Sequence, residues 1–334
     1  MSDDKKMVTS RDVAKLAGVS QSTVSRVFVE GSSCSEKTKT KVMQAAKALN
    51  YRPNSFARSL TTQESRLIGL VFPDAEYPLH MKTLQLLSST LQARGYSAVL
   101  IPWQYDDHNQ HSIPNIFNYR VDGVIAASAQ FNNHLYEECQ QFSIPIVQFA
   151  RVAHNSNSSF AISDNYNAGK MAAEKLKTAG VKRPAYLTGN IPTLTNSERW
   201  RGFNDTVLQL YGHAAGLLET NYDYEQALPL ISQMLDQANR PDGIFCSTDL
   251  LAIALIDSAR HQHQLRIPDD LQVLGFDDIP QAAWLNYQLT TFKQDFERLA
   301  LESINILLAQ LSQQTSHQTQ LMIPVQLIER STTR

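Results

Sequence analysis

A chain of 334 residues, 43% hydrophobic and 19% charged, is too long for one ordinary domain and too rich in apolar residues to be disordered or fibrous. Its net charge of −2 hides a split: residues 1–66 carry 12 Lys and Arg against 6 Asp and Glu, a net of +6, leaving 18 against 26, a net of −8, for the rest. A basic leading segment attracts polyphosphate and an acidic remainder repels it, which assigns contact with nucleic acid to the first part of the chain.

In chain order, Thr9 and Asp12 have capping-box spacing, and the apolar residues at 13, 14, 16 and 17 suit one buried stripe of a first helix starting near Ser10. Gly18 supplies a left-handed stop, Val19 plugs the corner and Ser20 caps a second helix, Gln21 to Phe28. Val24 and Val27 face inward there, while Gln21, Ser22, Ser25 and Arg26 face outward. Two short helices at a tight turn make a helix-turn-helix, whose second helix enters the DNA major groove, where Gln pairs with adenine and Arg with guanine. Gln21, Ser22 and Arg26 are the expected base readers. The hydroxyls of Ser20, Thr23, Ser35 and Thr38 stand near helix starts, where phosphate is favoured, and position the head, while Thr9 and the outward Ser25, a type suited to base edges, are further expected DNA contacts. A third helix is expected from about Glu36 to Leu49, capped by Ser35 and ended by Asn50. The following stretch, Tyr51 to Leu60, holds Pro53 and a helix-prone segment too short to be stable alone. Its Leu60 could insert between minor-groove base steps or merely pack.

After Arg66 short apolar runs alternate with helical stretches, the pattern of βαβ units on a parallel sheet. Strands are expected at 67–71, 98–101, 124–127, 145–149, 160–162, 184–187, 243–245 and 273–276. Ligands of open α/β sheets bind at the carboxyl ends of strands. That rule picks out Asp74, Asp164, Thr248, Asp249, Asp277 and Asp278, with Arg199 as the cation facing them. Carboxylates opposite a guanidinium suit the hydroxyls of a sugar or the edge of a base. Asp249 reads better as the cap of the next helix. Tyr222 ranks first among aromatic residues that could stack on a sugar face.

The run Asp12-Val13-Ala14-x-x-Ala17-Gly18-Val19-Ser20-x-x-Thr23-Val24-Ser25-Arg26, followed by Asn50-Tyr51-x-Pro53-Asn54-x-x-Ala57-Arg58-x-Leu60, resembles the lactose-repressor (LacI/GalR) family. Arg199-Trp200-Arg201-Gly202-Phe203, Thr248-Asp249, Gly275-Phe276-Asp277-Asp278 and Leu289-Thr290-Thr291 are similar to landmarks of that family's body. The resemblance implies an N-terminal all-α helix-turn-helix head (8–52), a hinge helix and linker (53–62), and an α/β periplasmic-binding-protein-like body (67–334) of two doubly wound lobes. Lobe 1 takes 67–162 and 293–322, lobe 2 takes 163–290 and 323–330, with three crossovers. It also implies that Asn54, Ala57 and Leu60 sit in the minor groove. In the cleft, Arg199 and Asp277 would clamp the effector, with Asp164, Thr248 and an element near Asp74 completing the site. Val29 departs from the Asn usual in the family, and Thr248 stands where Asn or another small residue is often found.

The expected function is a cytoplasmic transcription regulator, a repressor, that binds a palindromic DNA operator as a homodimer under control of a small polar, sugar-like effector. No leucine heptad follows Ile328-Glu329-Arg330-Ser331, so a dimer is expected and not a coiled-coil tetramer. An enzyme would need motifs that are missing: no G-x-G-x-x-G after a strand, no P-loop and no G-x-S-x-G elbow. A secreted solute receptor would need a signal peptide where the basic head stands, and no apolar run approaches the ~18 residues of a membrane span. Cys34, Cys139 and Cys246 form no C-x-x-C pair and the nine histidines no ligand-like cluster, so no metal or other cofactor is expected.

Overall fold

The computed structural model describes residues 8–28, 34–52, 64–73, 77–103, 119–127, 133–152, 158–190, 193–312 and 318–334. The chain divides into two compact units, Met1–Ser65 and Arg66–Arg334. Val29, Asn54, Ala57, Leu60 and Asp74 lie outside the described residues.

The first unit holds α1 (Ser10–Ala17), α2 (Gln21–Val27) and α3 (Glu36–Ala48). Asp12 Oδ2 accepts from the Thr9 backbone N–H at 2.8 Å, closing the box that starts α1. Gly18, at φ 66°, ends it in the left-handed conformation that a side chain disfavours. Ser20 and Ser35 accept from the backbone N–H groups of Thr23 and Thr38 and so fix the starts of α2 and α3. The core is Val13, Ala14, Val24, Val42, Ala45 and Ala46, ringed by Ala17, Val19, Val27, Phe28, Leu49 and Tyr51. Leu16 departs from the expected stripe and is 56% exposed. On a helix, position 16 falls on the far side of 13 from 14, at the flank of the buried face.

The second unit is built on two six-stranded sheets. The first runs β11(Gln320–Ile323), β5(Ser159–Ser163), β4(Ile146–Phe149), β3(Gly123–Ala126), β1(Leu67–Pro73), β2(Ser97–Trp103), paired in parallel throughout. The second runs β12(Gln326–Ile328), β10(Thr290–Lys293), β9(Gln272–Asp277), β8(Gly243–Cys246), β6(Pro184–Gly189), β7(Gly216–Thr220), with β12 alone antiparallel to its neighbour. The chain passes between the sheets after β5, after β10 and after β11. Helices cover the faces: α4 (His80–Ala93), α5 (Asn133–Gln141) and α10 (Phe296–Leu311) go with the first sheet, and α6 (Asn165–Thr178), α7 (Leu194–Tyr211), α8 (Tyr224–Leu235) and α9 (Asp249–Asp257) with the second. Strands buried on both faces read as continuous apolar runs, such as Gly123-Val124-Ile125-Ala126 and Gly243-Ile244-Phe245-Cys246, each fully buried.

Two strands of the second sheet escape the periodicity. The edge strand β7 is mostly exposed, so its short Gly216-Leu217-Leu218 stretch is not a buried run. In β10, Thr290 and Thr291 are fully buried because their hydroxyls are satisfied: Thr291 donates to Asp249 Oδ1, and Thr290 Oγ1 accepts from the Arg330 backbone N–H.

Candidate functional site: a polar face on the first unit and a cleft in the second

On the first unit α2 turns Gln21, Ser22, Ser25 and Arg26 outward, all exposed, with Val24 anchoring the opposite face. Gln21 is held by α1: its Nε2 donates to Ser10 Oγ at 3.0 Å and its Oε1 accepts from Arg11 Nε at 3.3 Å. Such tethering limits the rotamers of a glutamine at the start of α2, the part of the helix that faces bases in helix-turn-helix proteins. Ser20, Ser22 and Thr23 form a hydroxyl cluster, with Ser20 Oγ 2.8 Å from each of the other two. Ser35 and Thr38 make the same pair at the start of α3, 2.9 Å apart. Thr9 is exposed beside the start of α1.

In the second unit a cavity of about 70 Å³ opens between the carboxyl ends of the two sheets. Arg199, Tyr222, Thr248 and Asp277 all line it. Arg199 owes its place to a close crossing of α6 and α7 at two glycines: a Cβ on Gly169 would stand 2.1 Å from the Arg199 carbonyl oxygen, and one on Gly202 2.0 Å from that of Tyr166. The guanidinium is buried, with Nε and Nη2 donating to Asn165 Oδ1 at 3.1 and 2.7 Å and Nη1 to the Ser247 carbonyl. Its Cζ stands over the Phe276 ring, 3.3 Å from the ring centre. A planar cation fixed on three sides presents one defined edge to a ligand.

Asp277 ends β9 with φ 125°, and Asp278 follows at φ 55°. Backbone in that region costs non-glycine residues ~1–3 kcal/mol each and concentrates at functional sites. The strain separates the two carboxylates: Asp278 pairs with Arg330 at 2.7 Å, while Asp277 turns into the cavity. There Asp277 Oδ2 accepts from the Tyr77 hydroxyl and Oδ1 from Gln294 Nε2, whose own Oε1 accepts from Ser163 at 2.7 Å. Burial pushes the Asp277 carboxyl up, against the lowering pull of the Tyr77 hydrogen bond and the nearby Arg199 and Arg151. Tyr77 belongs to the first lobe's segment before α4, so its bond to Asp277 ties one sheet to the other. A second tie joins the Leu194 N–H to the Val152 carbonyl at 2.9 Å.

Thr248 caps α9, accepting from the Leu251 N–H at 3.3 Å, and is 5% exposed. This corrects the expectation for Asp249. With Thr248 as the cap, Asp249 turns inward, fully buried, accepting from the Ile279 N–H at 2.8 Å and the Thr291 hydroxyl. Burial first, then the neighbouring Asp277, pushes its carboxyl up to about 8. Asp164 is also corrected. Its carboxylate caps α6, accepting from the backbone N–H and the side chain of Asn167, and it does not line the cavity. The next residue, Asn165, is the one turned inward to hold Arg199.

Sequence reasoning missed several lining residues: Arg151, Thr193, Asn196, Ser247 and Gln294. The strand-end rule could have found Arg151, two residues past β4, and Ser247, the first past β8. Ser247 Oγ is buried and has no hydrogen-bond partner among the described residues. Gly189 makes room for the Tyr222 ring, since a Cβ there would come within 2.3 Å of it. Among the described residues, no group of three or more His, Cys, Asp and Glu is placed to hold a metal, and no helix is long and apolar enough to cross a membrane.

A basic helix-turn-helix unit and a two-sheet α/β unit with a polar cleft define a regulator with a ligand-binding body. Residues 9–54 match the family of bacterial regulatory proteins, lacI family, and residues 65–331 match the periplasmic binding proteins and sugar binding domain of LacI family. The chain belongs to the LacI family. It is 32% identical over 329 residues to the ribose operon repressor of Halalkalibacterium halodurans, covering 98% of each chain. It is 28% identical over 332 residues to the HTH-type transcriptional repressor PurR of Mannheimia succiniciproducens, covering 98% of this chain and 99% of that one. Among solved structures, the lac repressor dimer bound to operator and the anti-inducer ONPF superposes with a TM-score of 0.85 at 27% identity, covering 98% of this chain and 99% of that chain.

Proposed function

We propose that the protein is a cytoplasmic, non-enzymatic transcriptional repressor that binds a palindromic operator as a homodimer and changes DNA affinity when a small polar ligand enters the cleft. Gln21, Ser22 and Arg26 read bases, and Thr9, Ser20, Thr23, Ser25, Ser35 and Thr38 hold the backbone. Asn54, Ala57 and Leu60, outside the described residues, are assigned to the minor groove on the family resemblance alone. The ribose operon regulated by a relative supports a sugar-like ligand.

The observation that carries this reading is the Tyr77–Asp277 bond across the cavity. A ligand that takes Asp277 and the Arg199 edge competes with the tie between the lobes. A ligand that favours one lobe arrangement shifts the population toward it. Selection of duplexes from a random library by the purified protein tests the DNA side. A two-fold symmetric site with steep salt dependence is expected, and binding without sequence preference would refute the reading.

A further inference from the structure

A glutamine reads a base by the order of its amide: the oxygen accepts, the nitrogen donates, and a half-turn of the amide exchanges the two. In one order the amide matches N6 and N7 of adenine, while turned over its nitrogen suits O6 of guanine or O4 of thymine. An exposed glutamine free to turn therefore discriminates poorly. Gln21 is exposed at the start of α2, where this freedom would blunt the first of the base readers.

The two contacts that α1 makes with Gln21 are not equivalent. Arg11 Nε–H donates to Gln21 Oε1 at 3.3 Å, and Gln21 Nε2 donates to Ser10 Oγ at 3.0 Å. A guanidinium has donors and no acceptor, so it suits one order of the amide alone: the half-turn would set N–H against N–H. A serine hydroxyl donates or accepts and suits either order. Ser10 steadies the side chain, and Arg11 chooses which way it faces.

All three side chains stand on fixed backbone. The Thr9–Asp12 box closes the first turn of α1, which carries Ser10 and Arg11. Ser20 accepts from the Thr23 N–H at 3.1 Å and sets Gln21 as the first residue of α2. Val13 and Ala14 of α1 and Val24 of α2 share one core, which holds the two helices against each other. Docking on DNA removes water that competes for the amide, and a hydrogen bond strengthens as the local dielectric falls. The choice made by Arg11 is therefore firmest where the base is read.

We propose that Arg11 is a specificity-determining residue of the head: it holds Gln21 Oε1 on the α1 side and so fixes which order of donor and acceptor the amide shows to the major groove. The inference rests on Gln21 being a base reader and extends the reading machinery from α2 to α1. A phosphate contact, the ordinary use of an exposed arginine near DNA, is the competing outcome.

Selection of duplexes from a random library by the full-length protein tests it, with wild type, Gln21→Ala, Arg11→Ala, Gln21→Glu and the double variant Arg11→Ala with Gln21→Glu. The half-site position that loses its preference in Gln21→Ala is the one Gln21 reads, with about tenfold discrimination in wild type. Arg11→Ala should spread that position over two bases, to less than about threefold, and leave the preferences at other positions unchanged. Glutamate has two accepting oxygens and no order to choose, so Gln21→Glu should turn the preference to cytosine, and loss of Arg11 as well should not relax it. A profile for Arg11→Ala identical to wild type, with every duplex weakened alike and a shallower salt dependence, would make Arg11 a phosphate contact and overturn the inference. Relaxation at every position, or the same relaxation in the glutamate background, would point to a general defect of the head and overturn it too. An unchanged profile in Gln21→Ala would remove Gln21 from the readers and this inference with it, while wild-type binding without sequence preference would refute the functional reading itself.

Discussion

Replacing Gly202 with alanine tests whether the α6–α7 crossing builds the cleft. The new Cβ would stand 2.0 Å from the Tyr166 carbonyl oxygen, against the 3.4 Å at which ordinary contact begins, so the helices must part by about 1.4 Å. Arg199 lies on α7 and Asn165 on α6, joined at 2.7 Å, and the same displacement carries that pair out of hydrogen-bond range. Overpacking costs ~1–3 kcal/mol and a lost hydrogen bond to a buried charge ~1.5–3 kcal/mol, offset by the ~1 kcal/mol by which alanine favours a helix over glycine. A net loss of about 1.5–5 kcal/mol follows from these terms. Urea unfolding followed by tryptophan fluorescence reads it, with Gln209→Ala on the exposed face of the same helix as a control expected within ~0.5 kcal/mol of wild type. An unchanged or raised midpoint for Gly202→Ala would refute the account of how Arg199 is positioned.

Two more outcomes follow. Arg26→Ala should relax base preference at one position of each half-site at a cost of ~1–3 kcal/mol, measured by competition with single-base variants of the selected duplex; an unchanged preference profile removes Arg26 from the readers. Asp249, pushed up to about 8, keeps its proton in the folded state over a range where the unfolded chain has lost it. The folded state then binds more protons, so stability falls as pH rises from the ordinary carboxylate range to about 8. Asp249→Asn should flatten that slope in urea midpoints taken from pH 5 to pH 8, and parallel profiles for the two proteins would show that burial of this carboxyl has no such effect.

Much of the head was legible because its signals are local. A capping box, a left-handed glycine and two serine caps each act within a few residues, and the helices start where those signals place them. Leu16 was misread because a stripe counted in sequence does not say how wide the partner surface is. In the body, strands buried on both faces announce themselves as apolar runs, whereas β10 is a strand because distant groups satisfy its threonines. The strand-end rule found Arg199's surroundings and Asp277, yet it could not decide between neighbours. Asp164 and Thr248 both became helix caps, which sent Asn165 and Asp249 inward in their place. Which of two adjacent polar residues caps a helix and which is buried depends on partners from other strands, and no local pattern carries that information. Arg151 and Ser247 went unnoticed since neither is a carboxylate nor part of the motif.

The central claim, that the cleft of the second unit governs DNA binding by the first, is tested most directly by fluorescence anisotropy. The affinity of the selected duplex is measured with and without a saturating ligand found by calorimetry, in wild type and in Arg199→Lys. Lysine keeps the charge and loses the planar fork that bonds Asn165 and the Ser247 carbonyl. The account predicts a ligand-dependent change of about 5- to 150-fold in wild type, the usual span of such coupling, and its loss in Arg199→Lys with ligand-free DNA affinity retained. A duplex affinity that stays constant while the ligand demonstrably fills the cleft would contradict it.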